Sequence, residues 1–296
     1  MKIKPDILLI FLVSQLVAYS AYSNTNKKEA GLLSVENALE RNWVSVTFTG
    51  NGLYKGECVD MTIKNLTGFD TTIWVEAGRR LTSVDTNEQD ILVVRALFVE
   101  LKSMEQKTVP LFGFCAQSHK SAPLEGAVFN VGYMEEEPVI KLAEYIDANR
   151  NLPLSAVQHA VWTMTNDVPV ASVHDDDKDN FTAIKDLQKL IAGLKGLKID
   201  HFWYSLEYKK DTNLFSGIPL TLHGEIEYVL HQDGFASLYV YNKYGIVKKV
   251  LFENVRHSQQ KYGYNFRLNV HEWPKGKYYI RLMFENQMKL LREFEL

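Results

Sequence analysis

Runs of strand length, with apolar residues at every second position and turn residues at their ends, constrain this chain more than any other feature. Val44–Thr49 alternates and stops at Gly50-Asn51-Gly52, and Cys58–Lys64 alternates until Asn65-Leu66-Thr67-Gly68 turns the chain. Thr71–Glu76, Ile91–Leu101 and Lys107–Cys115 continue the series. A period of two sends successive side chains to opposite faces, so each run must bury one face against a second sheet or across a closed barrel. Residues 43–125 are therefore expected to form an antiparallel β-sandwich or barrel. The same pattern resumes at Leu220, where Leu222, Ile226, Tyr228 and Leu230 share a face. Asn242-Lys243-Tyr244-Gly245 then supplies a hairpin turn, and Met288–Leu296 is the last run. Residues 218–296 are expected to fold as a C-terminal sandwich, with 199–217 as a connector.

Between these blocks the period changes. Val139, Leu142, Ala143 and Ile146 recur at helical spacing after Pro138, and Leu154, Val157, Val161 and Met164 do so after Pro153. A third helical pattern spans Phe181–Leu194 and is stopped by Gly193 and Gly196. Residues 126–198 are thus expected to be a small helical section packed on the first β-domain. The predicted class is mostly β.

The N-terminus indicates a compartment. Lys2 and Lys4 precede an apolar run, Ile7–Val17, and Ala21-Tyr22-Ser23 offers the small residues read by a signal peptidase. Residues 1–23 are expected to be a cleaved signal peptide and 24–42 a flexible polar lead, which makes the protein exported, secreted or held at the cell surface. No later segment is long and apolar enough to suggest a transmembrane helix. A net charge of −3 without a basic block argues against nucleic acid and anionic membrane as partners. Cys58 and Cys115 are the only cysteines, and in an oxidising compartment two cysteines are first read as one disulfide.

Two segments carry a resemblance to a known family. Phe114-Cys115-Ala116 and Val157-Gln158-His159-Ala160-Val161-Trp162 resemble the cysteine and glutamine motifs of the thioester domains of bacterial surface adhesins, with Thr165 and Asp167 following in similar positions. The resemblance implies an internal thioester between Cys115 and Gln158, shielded by Trp162, acting by covalent capture rather than turnover. Gly224–Leu230, Ser237–Gly245 and Pro274–Leu282 resemble the immunoglobulin-like C-terminal modules of exported bacterial proteins, including the sorting type. That likeness implies an immunoglobulin-like sandwich and possible recognition by export machinery.

For Cys115 three states stay open: the disulfide to Cys58, the thioester to Gln158, or a free thiol. Asp175, Asp177, Asp179 and Asp186 mimic the spacing of a calcium loop, but acidic residues before a helix are more simply a solvated first turn. Glu135-Glu136-Glu137 reads the same way. The chain has no G-x-S-x-G elbow, H-E-x-x-H, phosphate-cradling loop or C-x-x-C, and a Cys115/His119 hydrolase is the one enzymatic alternative. No cofactor and no turnover chemistry are expected. The residues point to an exported binding or adhesion protein whose ligand is a surface protein or glycan.

Overall fold

The computed structural model describes residues 32–197, 203–211 and 214–296. The expected signal peptide lies outside these residues. In chain order the first elements are β1 (Leu32–Ser34), α1 (Val35–Glu40), β2 (Val44–Asn51), β3 (Lys55–Asn65), β4 (Thr71–Val75), β5 (Arg79–Ser83), β6 (Ile91–Val93) and β7 (Leu97–Leu101). β8 (Gln106–Cys115) and β9 (Glu125–Met134) follow, then α2 (Glu137–Ala148), α3 (Leu154–Asn166) and α4 (Phe181–Leu194). The rest is β10 (Tyr204–Asp211), β11 (Leu214–Val229), β12 (Gly234–Asn242), β13 (Val247–His257), β14 (Lys261–Asn269), β15 (Lys277–Phe284) and β16 (Gln287–Glu295). The chain is mostly β, as its alternation requires.

Two compact units emerge. The first comprises the described residues up to Val46 together with Thr62–Val75 and Leu97–Thr108. It is built on a three-stranded sheet in the order β1-β4-β7, with β1 parallel to β4. Part of the expected flexible lead is therefore ordered: β1 pairs, and Ser34 accepts a hydrogen bond from the Asn37 amide at 3.2 Å to cap α1.

The second unit comprises Thr47–Met61, Glu76–Ala96 and Val109–Leu296. Strands close into a barrel in the order β2-β3-β8-β6-β5-β9. β9 corrects the expected start of the helical section, because Glu125–Met134 pairs with β2 and β5 as a barrel strand. The single strand expected over Ile91–Leu101 is two, β6 and β7, which belong to different sheets.

The helices cover one side of this barrel. Val139, Leu142, Ala143 and Ile146 of α2, Ala156, Val157, Ala160 and Val161 of α3, and Ile184, Leu187 and Ile191 of α4 share a core with Leu92, Phe114 and Ala116. Burying a side chain of that size contributes roughly 1.5–3 kcal/mol relative to leaving it in water. α3 is the central helix, buried from Ala156 to Thr163 except at His159. That position carries its polar residues into the interior.

The C-terminal part is a sandwich of a three-stranded sheet, β10-β11-β14, and a four-stranded sheet, β13-β12-β15-β16. Leu206, Leu222 and Ile226 from one sheet meet Leu238, Val240, Ile280 and Leu282 from the other. The expected alternation is seen along β15, where Tyr278, Ile280, Leu282 and Phe284 are all buried. The expected connector is partly sheet: Tyr204–Asp211 is β10, and β11 already begins at Leu214. Residues 199–202 and 212–213 of that connector, and residue 198 before it, lie outside the described residues.

Candidate functional site

α3 lies over the end of β8 and brings Gln158 to Cys115. Both are in the interior, Gln158 at 2% exposure and Cys115 at 0%. Gln158 Nε2 donates to the Cys115 carbonyl at 2.7 Å, and the Cys115 amide donates to Gln158 Oε1 at 3.2 Å. The amide orientation follows from chemistry, since a carbonyl can only accept and an N–H can only donate. The Cys115 amide also reaches Tyr54 O at 3.2 Å. The Gln158 side chain therefore pairs with the backbone of the last residue of β8 much as a neighbouring strand would.

The two cysteines are free thiols, so the disulfide expected between Cys58 and Cys115 is not formed in this structure. Cys58 Sγ instead donates to Gly113 O at 3.4 Å. Burial pushes the Cys58 thiol up to about 12. Burial likewise raises Cys115 well above the usual thiol range, and the nearby Cys58 and Glu88 add to the rise. A hydrolytic cysteine needs the reverse, a lowered pKa in an accessible, electropositive setting. His119 is exposed on a turn, whereas Cys115 is fully enclosed. The Cys115/His119 arrangement thus lacks the features of an activated nucleophile.

Side-chain amides brace the segment after Cys115. Gln117 Oε1 accepts from the Asp90 amide at 2.9 Å and Gln117 Nε2 donates to Asp90 Oδ2 at 3.0 Å. Gln89 Oε1 accepts from the Gln117 amide at 3.0 Å and from Trp162 Nε1 at 3.2 Å. Trp162, expected to shield the pair, is 4% exposed one turn beyond Gln158. Behind it, Asp90 and Glu135 both hold Arg80. Glu135 is thus in a buried ion pair, contrary to the expected solvated loop, because Gly78 O anchors its amide beside β5.

Phe215 of β11 completes an aromatic cover. Its ring lies 5.8 Å from His159 and 6.5 Å from Trp162, and its amide donates to Ser118 O at 3.1 Å. Burial pushes His159 down to about 4, which leaves the imidazole neutral, and its Nδ1 has no partner.

The acidic run is knit together by local hydrogen bonds. Asp175 Oδ1 accepts from the Asp177 amide at 2.9 Å and Asn180 Nδ2 at 3.0 Å, and Asp177 Oδ1 accepts from the Asp179 amide at 3.0 Å. These are local turn-capping bonds. Asp186 is exposed on α4 and pairs with Lys189 at 3.3 Å. Among the described residues, Asp175, Asp177, Asp179 and Asp186 are not gathered into a group whose ligand atoms lie within 4.8 Å of one another.

A different cluster lies beside that run. His174, Asp176 and His223 each place a ligand atom within 4.8 Å of the other two. They come from the loop before α4 and from β11, and their separation along the chain hides them from any spacing rule. Only the fold unites them.

No family model matches the chain, and no curated protein matches it. Among solved structures, a beta-glucosidase from Kluyveromyces marxianus is similar at 10% identity with a TM-score of 0.19, covering 80% of this chain and 44% of that one. The chain spans less than half the length of that enzyme.

Proposed function

We propose that this chain is an exported binding or adhesion protein that captures its ligand covalently through a Cys115–Gln158 thioester. One observation carries the reading: the Gln158 side chain docks on the Cys115 backbone at 2.7 and 3.2 Å inside a closed interior. In the condensation the Cys115 sulfur bonds to Gln158 Cδ and the C–N bond breaks. The thiol proton leaves with the amide nitrogen as ammonia. An amine on a surface protein or an amino sugar would then attack the acyl carbon, form an amide and return the thiol. Burial behind Trp162 keeps water from the acyl group, and reactants held in one geometry gain the advantage of an intramolecular step. The C-terminal sandwich would serve presentation or export.

The test is an accurate intact mass of native protein. We expect a mass lower by one ammonia, a shift to an amine adduct after methylamine treatment, and neither in Gln158→Ala or Cys115→Ala. Two titratable thiols in the unfolded wild type, with no ammonia missing, would show that Gln158 is a structural clamp. Binding would then be non-covalent.

A further inference from the structure

The geometry points to a zinc-class divalent metal site formed by His174, Asp176 and His223, stapling the loop before α4 to strand β11. His174 Nδ1 is 2.9 Å from Ser205 Oγ of β10, which leaves Nε2 facing Asp176 Oδ1 at 3.3 Å. Two ligands bonded at about 2.0–2.1 Å with tetrahedral angles stand roughly 3.3 Å apart. The His174–Asp176 pair already has that edge length. The third ligand must close in by at most about 1.5 Å to complete the set, given the 4.8 Å bound on all separations.

His223 supplies the second argument. Its Nε2 is buried without a hydrogen-bond partner, although the nitrogens of histidine are seldom left so. The nearest carboxylate oxygen, Glu207 Oε2, is 3.8 Å away, beyond hydrogen-bond reach, and is held by Arg267 at 3.0 Å. The two imidazole rings lie only 4.3 Å apart, tilted by 37°, with no bond between them. A cation between the three side chains would explain why two rings converge beside one carboxylate, and the orphaned Nε2 leaves His223 a nitrogen free to ligate it.

Ligand chemistry selects the class. Two imidazole nitrogens and one carboxylate suit zinc, cobalt or iron(II), and the tetrahedral edge length favours zinc and cobalt, whereas calcium and magnesium require mostly oxygen. Ser205 is the outer-shell partner that orients His174. A solvent water would take the fourth position, since Glu207 lies outside the group and is held by Arg267 at 3.0 Å. The site is independent of Cys115 and Gln158, so it stands or falls separately from the covalent reading.

The experiment uses the full chain, stripped by chelation and dialysed against zinc, with bound metal measured by mass spectrometry. We expect about one zinc per chain, a cobalt-substituted form with the visible absorption of a tetrahedral site, and no uptake of calcium. His174→Ala with His223→Ala should abolish uptake. Asp176→Asn, a change at an exposed side chain that leaves the core intact, should weaken it, and Ser205→Ala should weaken it by about 10–100-fold. No zinc retained by the wild type would overturn the site. So would uptake unchanged in Asp176→Asn and in the double variant.

Discussion

His159 follows Gln158 on α3, its ring 5.5 Å from Trp162 and 5.8 Å from Phe215. Burial pushes it down to about 4 from an ordinary 6.5. The unfolded chain therefore binds a proton between those values that the native state does not. This histidine's contribution is complete above pH 6.5 and is lost as pH falls toward 4. For one proton the slope approaches about 1.4 kcal/mol per pH unit. Denaturant titrations at pH 7 and pH 4.5 should show a smaller loss for His159→Phe than for the wild type. Equal losses in the two proteins would mean that the ring is protonated inside the fold. At this scale the sequence was informative in one respect only. The motif around Gln158 singled out a residue whose side chain the fold brings to the Cys115 backbone, because a helix after β8 was legible and the glutamine borders its apolar stripe. The neighbouring roles were not legible, since Gln89, Phe215 and His223 acquire theirs from residues remote in the chain.

Elements were legible where one periodicity ruled. The four buried residues of α2 and the buried face of β15 are those that alternation and helical spacing select. β9 was missed because Gly126, Asn130 and Gly132 dilute its apolar alternation. Gly126 answers to a backbone φ of 86° with open space around it, and Gly132 to packing. A Cβ on Gly132 would sit 2.8 Å from the Arg80 carbonyl oxygen and 2.7 Å from Thr82 Oγ1, so β5 can approach only because no side chain intervenes. Gly132→Ala should destabilise by about 1–3 kcal/mol, as overpacking does. Gly193 makes the opposite case: it lies exposed inside α4, and a Cβ there would meet nothing within 4 Å. Gly193→Ala should stabilise by about 0.5–1 kcal/mol through helix propensity. Urea midpoints for the two variants should move in opposite directions; a midpoint unchanged or raised in Gly132→Ala would refute the role given to β5.

In the second unit the helices and the C-terminal sandwich are joined by contacts that no local pattern announces. The expectation of two separable blocks, 43–198 and 218–296, rested on the restart of alternation at Leu220. That restart marks a new sheet, but Lys185 of α4 pairs with Glu225 of β11 at 2.8 Å, and Phe215 bonds to Ser118. Phe215 also packs on Tyr208 at 4.7 Å, so its ring belongs to both neighbours. The surface ion pair contributes about 1 kcal/mol at most, while truncating an aromatic side chain packed on both sides costs more, up to about 3–5 kcal/mol when fully buried. Phe215→Ala should therefore loosen the cover over α3 while leaving β12 and β15 intact, because their core is Leu238, Val240, Ile280 and Leu282. Native-state hydrogen exchange reads this directly. Amides of α3 should lose protection in the variant, and those of β12 and β15 should keep it. Unchanged protection in α3 would show that the helices are held by the barrel alone, and that the sandwich is an independent domain after all.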